Sequence, residues 1–318
     1  ALFLTANDPY GHELWRWTFP VNKLNQQTEQ LSPLSSRPTY TETENELTVK
    51  ANKRTFIFSK KDGQLKGVSV DNRKINFANG PRFIGARRAD RSLDQFYNHD
   101  DEKAKEKDRT YSEFPDAAVF TKLDVKEDGG NLVVTANYKL GNLDKAQWTI
   151  NPSGELALDY TYNFSGVVDL MGIRFDYPED QVISKRWLGA GPYRVWQNRI
   201  HGTQYDVWEN DYNDPIPGET FTYPEFKGYF GDVSWMNIQT KEGTISLTNE
   251  APDAYIGVYQ PRDGRDRLLY TLPESGISVL NVIPPVRNKV NSTDLCGPSS
   301  QPKWVNGPQT GRVIFRFM

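Results

Sequence analysis

Apolar and polar residues alternate along most of this chain with a period of two, and almost nowhere with the 3.6-residue period of a helix. Glu46-Leu47-Thr48-Val49-Lys50 leads into Arg54-Thr55-Phe56-Ile57-Phe58-Ser59, and the turn Lys61-Asp62-Gly63 follows. Asp-Gly between alternating runs is a strong local hairpin signal. Gln64–Val70 and Lys74–Phe77 continue the pattern across the turn Asp71-Asn72. Strands are then predicted over 118–125, 131–140, 145–150, 155–164 and 171–177, with Asp128-Gly129-Gly130 and Asn151-Pro152-Ser153-Gly154 as turns. A second group covers 234–239, 244–249, 254–259, 277–282 and 312–317. So many short strands with regular turn signals predict a large all-β fold of two packed antiparallel sheets.

Three stretches depart from this rhythm. Residues 1–22 read as strand, turn, strand: Leu2-Phe3-Leu4-Thr5, then Asn7-Asp8-Pro9-Tyr10-Gly11, then Leu14, Trp15, Trp17 and Phe19. Two strands do not make a stable domain, so this piece either pairs with the main body or is the end of a preceding β-sandwich. Residues 23–40 are linker-like, which leaves 41–318 as the main domain. Residues 89–116 are dense in alternating charge, with no apolar stripe, and read as a solvated helix or loop.

Aromatic residues concentrate in one region. Four of the eight tryptophans, Trp187, Trp196, Trp208 and Trp235, lie within it, among glycines and prolines that forbid a long helix. Trp187 and Trp235 belong to alternating runs and read as core. Trp196 and Trp208 have polar neighbours, read as loop residues, and are the better candidates for lining a groove. Flat rings beside amides and carboxylates suit a sugar, whose C–H faces stack and whose hydroxyls need hydrogen bonds. The candidate carbohydrate-binding set is Tyr193, Arg194, Trp196, Asn198, Trp208, Glu225 and Trp304, the last in a Pro/Gly/Ser-rich stretch. The competing reading makes these aromatics core and corner residues of a large β-fold.

The bulk numbers narrow the function classes. Net charge is -3 over 318 residues, which argues against a nucleic-acid footprint. No apolar run approaches the roughly 20 residues of a membrane span. Cys296 is the single cysteine, so neither an intrachain disulfide nor a cysteine metal cluster can form. No signal peptide is visible, and the abrupt start at Ala1 reads as a fragment whose targeting information lay upstream.

Other chemistry is signalled more weakly. Glu209 with Asp211 and Asp214, or Glu219 with Glu225, are carboxylate pairs, but retaining hydrolysis needs two carboxyls roughly 5–5.5 Å apart, which loop spacing does not establish. An epimerase needs a general acid and base; of His12, His99 and His201, only His201 lies in the aromatic region. Asn210-Asp211-Tyr212-Asn213-Asp214 offers oxygen ligands for Ca²⁺ or another cation, yet matches no EF-hand spacing and equally suits a turn before Pro215. No cofactor is expected.

The order of motifs carries a resemblance. Trp187-Leu188-Gly189-Ala190-Gly191-Pro192 followed by Asn198-Arg199 resembles the (W/Y)-(L/F)-G-x-G-P-x-E-N-Y-x-D-R motif of the C-terminal, small-chain domain of family 2 β-galactosidases. Pro224-Glu225, Gly228 and Asp232-Val233-Ser234-Trp235 resemble its P-x-E-x-G-x-x-x-D-V-R-W segment, and Pro81-Arg82-Phe83 with Arg88-Ala89-Asp90 is similar to its N-F-W-R-A-P-x-D-N-D. Gly11-His12-Glu13-Leu14-Trp15-Arg16-Trp17 looks like the last strand of the immunoglobulin-like domain that precedes it.

The resemblance implies a β-supersandwich of the galactose-mutarotase type and a parent enzyme that hydrolyses β-galactosides or related glycans with retention. It places the catalytic carboxylates on a separate TIM barrel. The expected role is an accessory domain, not catalytic alone, that buttresses the barrel and completes its sugar site. Its partners would be carbohydrate and the N-terminal domains of the parent, in a periplasmic or secreted enzyme by analogy. Arg194-Val195-Trp196 stands where the motif has Glu-Asn-Tyr, and no tryptophan occupies Glu274–Asn281, where the family's late active-site tryptophan falls. Two alternatives stay open: a free-standing carbohydrate-binding module, and an aldose epimerase or lyase on the same fold.

Overall fold

The computed structural model describes residues 2–19, 21, 36–88, 111–211, 228–251, 253–258, 273–285, 299 and 301–318. Its strands are β1 (Leu2–Asn7), β2 (Glu13–Phe19), β3 (Thr39–Glu42), β4 (Glu46–Ala51), β5 (Arg54–Ser59), β6 (Leu65–Val70) and β7 (Arg73–Ile75). Next come β8 (Ala78–Arg88), β9 (Tyr111–Glu113), β10 (Val119–Asp128), β11 (Asn131–Lys139), β12 (Leu143–Ile150), β13 (Leu156–Val168) and β14 (Leu170–Asp176). The chain continues through β15 (Val182–Gly191), β16 (Gln204–Asp211), β17 (Trp235–Thr240), β18 (Gly243–Asn249), β19 (Tyr255–Val258), β20 (Ile277–Val282) and β21 (Lys303–Phe317).

The strand alternation does what it predicts: it gives each sheet one apolar face. One sheet has nine strands in the order β10-β11-β12-β13-β21-β18-β17-β15-β16, and the other ten, running β19-β20-β14-β8-β6-β5-β4-β3 with β7 and β9 alongside. All the ladder pairings between these strands are antiparallel. The facing sides bury Phe56, Phe58 and Phe175 from the ten-stranded sheet against Trp148 and Phe315 from the nine-stranded one. Phe58 meets Trp148 at 5.9 Å and Phe77 meets Phe315 at 5.0 Å between ring centroids. Such tilted ring pairs add about 0.5–1.5 kcal/mol each beyond the area they bury. The architecture is the β-supersandwich.

Polar ties close the sandwich. Tyr162 on β13 donates to Asn281 on β20 at 2.7 Å, joining the sheets. At one end Glu242, in the turn between β17 and β18, accepts from the Asn76 amide N–H at 3.0 Å, the Asn76 side chain, and the Tyr177 hydroxyl at 3.0 Å.

The sheets do not consume every apolar face. On β8 and β14 the outward positions Ile84, Ala86 and Leu170, with Leu280 of β20, form a second buried cluster. Its cover is not a third layer of strands but Tyr111, Val195, Trp196, Tyr229 and Ile283.

Two features differ from expectation. Gly189–Gly191 and Trp208 lie on β15 and β16, regular strands of the nine-stranded sheet, although the glycines and the polar neighbours of Trp208 read as loop chemistry. β21 begins at Lys303, so Trp304 sits on a strand opposite Val167, not in a loop. Residues 2–19 form a separate two-stranded sheet whose β2 approaches β16. Most of the charged stretch, 89–110, lies outside the described residues.

Candidate functional site

The aromatic region is built by close backbone approach. β15 pairs with β16 on one side and β17 on the other, with Trp187 opposite Trp208 and Met236. Trp187 is fully buried, meets Phe230 edge-on at 4.8 Å, and donates its indole N–H to the Ala190 carbonyl at 2.9 Å. Gly191 ends β15 beneath the Trp208 ring; a Cβ there would stand 2.4 Å from the indole. That space lets the Trp208 N–H reach the carbonyls of Gly189 at 3.2 Å and Gln204 at 3.1 Å. Trp208 is therefore half-buried, with its polar edge already spent on the backbone.

Beyond Pro192 the chain folds back over the ten-stranded sheet. Val195 and Tyr229 exchange backbone hydrogen bonds at 2.7 and 2.9 Å, and the Arg199 amide closes a turn onto the Trp196 carbonyl at 2.9 Å. Gly228 makes the approach possible, since a Cβ on it would meet the Val195 carbonyl at 2.4 Å. Trp196 packs edge-on to Tyr229 at 5.7 Å.

This placement corrects the expectation for Trp196. Its side chain is 0% exposed, so it offers no face to a sugar. Polar neighbours in sequence suggested a loop platform, but Ile84, Ala86, Leu170 and Leu280 are apolar residues on an outer sheet face, and Trp196 is part of what covers them. Arg194 is also buried, with its guanidinium 5.9 Å from the Phe230 ring centre. Asn198 is half-buried. Glu225 lies outside the described residues.

Two of the expected aromatics do face solvent: Tyr193 is 46% exposed and Trp304 72%. Gln197 brings their segments together. Its amide donates from the backbone to Pro284 at 3.0 Å and from the side chain to the Gln301 carbonyl at 2.7 Å, just ahead of β21. Sequence reasoning missed Gln197, whose only signal was a place beside Trp196 in a segment with no partner strand.

The weaker chemistries fare as follows. Glu209 and Asp211 are exposed at alternate positions of β16, while Asp214 and Glu219 lie outside the described residues. His201 is exposed in the turn before β16, not at the floor of a pocket. Among the described residues no group of three His, Cys, Asp or Glu side chains is placed to hold a metal, and 212–214 of the Asn/Asp run are outside them. No helix among those residues is long and apolar enough to cross a membrane.

A family model described as the β-galactosidase small chain matches residues 50–285, well over half of the chain. The chain belongs to the β-galactosidase small-chain family. Both motif segments read from the sequence, 187–199 and 224–235, fall inside that match. Solved structures are fainter likenesses. A galactose 1-epimerase from Lactobacillus acidophilus is 10% identical, with 89% of this chain and 99% of that one covered and a TM-score of 0.49. An aldose epimerase homologue from C. elegans is 8% identical, with 88% and 99% covered and a TM-score of 0.38. No curated protein matches the sequence.

Proposed function

We propose that this small-chain family member is a carbohydrate-associated accessory domain of a larger family 2 glycoside hydrolase. In that enzyme it packs beside the catalytic barrel, and the Tyr193–Trp304 edge completes the rim of the sugar site. The observation that carries the reading is the family match over residues 50–285.

The β1–β2 hairpin supports it. Leu2, Phe3, Leu4, Leu14, Trp15, Trp17 and Phe19 are all exposed, and consecutive residues point to opposite sides of a strand. Both faces of a two-stranded sheet are thus apolar, a state that water disfavours and that burial against further strands relieves. On this reading residues 1–22 complete an immunoglobulin-like domain of the parent, 23–40 form a linker, and 41–318 are the accessory domain.

The test has two arms. The 318-residue chain alone should release no p-nitrophenol from aryl β-galactosides; turnover would overturn the accessory role. In the complete enzyme, Trp304→Ala and Tyr193→Ala should raise KM about tenfold, the loss of one stacking contact worth about 1–1.5 kcal/mol. Unchanged kinetics in both variants would remove the rim from the sugar site.

A further inference from the structure

The outer face of the ten-stranded sheet continues past its aromatic cover and opens into a cleft of about 710 Å³. Arg82 is two residues from Ile84 on β8 and Arg174 four from Leu170 on β14, so both guanidiniums rise from the face that Trp196 covers at its other end. Arg82 and Arg174 are direct cross-strand partners. Like charges placed opposite each other weaken a sheet, and burial together with the Arg82 charge pushes the Arg174 pKa down. A purely structural face has no need of that pairing.

The surroundings offset it with acceptors. Asp176 takes hydrogen bonds from Arg82 and from the Asn79 amide, the latter at 2.9 Å, and Arg174 donates to the Glu274 carbonyl. The cleft lining carries the cations Lys66, Lys74, Arg82 and Arg174 against the acids Asp176, Glu179 and Glu274. Asp62, 2.6 Å from Lys66, and Glu113, 3.9 Å from Arg174, tilt the wider balance toward acid. A phosphate or polyanion would meet no uncompensated positive field here. A hydroxyl group, which both donates and accepts, suits alternating carboxylates, amides and guanidiniums. Two buried groups at the cleft, the Arg174 Nε and the Ser275 hydroxyl, have no hydrogen-bond partner among the described residues.

We propose that this cleft is a second saccharide subsite, taking a neutral, hydroxyl-rich sugar unit at the far end of the sheet face from the Tyr193–Trp304 edge. The inference rests on the carbohydrate-associated reading and extends it to a site that no aromatic marks. The volume falls within the range of roughly 300–1,000 Å³ typical of small-molecule sites.

Calorimetric titration of the 318-residue chain tests it, with galactotriose as the neutral probe and trigalacturonate and inorganic phosphate as anionic ones. Galactotriose should bind, and Asp176→Asn should weaken it about tenfold through the loss of a charged acceptor. Lys74→Ala, an exposed change away from the core, should weaken it less, and Lys122→Ala, an exposed change on β10 outside both the cleft and the rim, should leave it unchanged. Circular dichroism confirms that each variant folds. Affinity that neither cleft variant moves, preference for trigalacturonate or phosphate, or no binding of galactotriose would each overturn the cleft. Any of these results with the rim effect on KM intact in the complete enzyme sinks the cleft alone and leaves the accessory role standing.

Discussion

Two tryptophans of the candidate binding set behave in opposite ways, and the difference is measurable. Trp196 fills the outer cluster and is fully buried, whereas Trp304 is 72% exposed on β21. Trp196→Ala should destabilise the domain by about 3–5 kcal/mol, the cost of a cavity where an indole was. Trp304→Ala should shift stability by no more than about 0.5 kcal/mol. Urea unfolding of both variants checks the contrast. Asp62 offers a pH test. Partial burial pushes its carboxyl up, but the Lys66 ammonium, the Gln64 amide and the Ser59 hydroxyl outweigh that and hold it below its ordinary value of 3.8. A carboxyl lowered in the folded state adds stability above its unfolded pKa and loses it as pH falls through the folded one. The melting temperature of wild type should therefore exceed that of Asp62→Asn at pH 6, and the gap should close as pH drops well below 3.8.

Elements differ in how plainly the sequence announced them. β11 alternates from Val134 and β12 from Ala146, with Val134, Ala136, Ala146, Trp148 and Ile150 inward, and they fold where the period of two put them. The end of β15 was hidden because Gly189-Ala190-Gly191-Pro192 carries turn chemistry. Those glycines serve proximity instead: Gly191 lies under Trp208, and Gly189 lies against the Gly231 carbonyl, where a Cβ would stand at 3.0 Å. Single-sequence patterning reads a missing side chain as freedom, while the fold uses it as clearance. The site was legible only in part for a related reason. Tyr193 and Trp304 are open to solvent, but burial of Trp196 depends on an apolar outer face of a distant sheet, which no local pattern records. The turn between β17 and β18 has its own prediction. Glu242→Ala removes three hydrogen bonds to a carboxylate, at Asn76 and Tyr177. It should cost about 1.5–3 kcal/mol, leaving Asn76 and Tyr177 to find water; Glu242→Gln should recover part of that in thermal unfolding.

At the scale of the molecule, the family match and the fold do not share a boundary. The match stops at residue 285, yet β21, residues 303–317, lies between β13 and β18. It pairs with β13 from Leu156 to Val168 and places Val313, Phe315 and Phe317 in the core. A chain ending at residue 285 would hold β10–β13 and β15–β18 as two half-sheets with no strand between them. Such a truncation should show no cooperative unfolding transition and should bind a hydrophobic dye such as ANS, the signature of lost packing.

That central place has a consequence for biosynthesis. The strand that joins the two halves of the nine-stranded sheet is made last of the strands described, so during translation β13 and β18 present unpaired edges side by side. Open edges recruit other strands, including those of neighbouring nascent chains. Until residue 317 clears the ribosome the slot stays open, and faster elongation shortens the window in which a foreign strand can enter it.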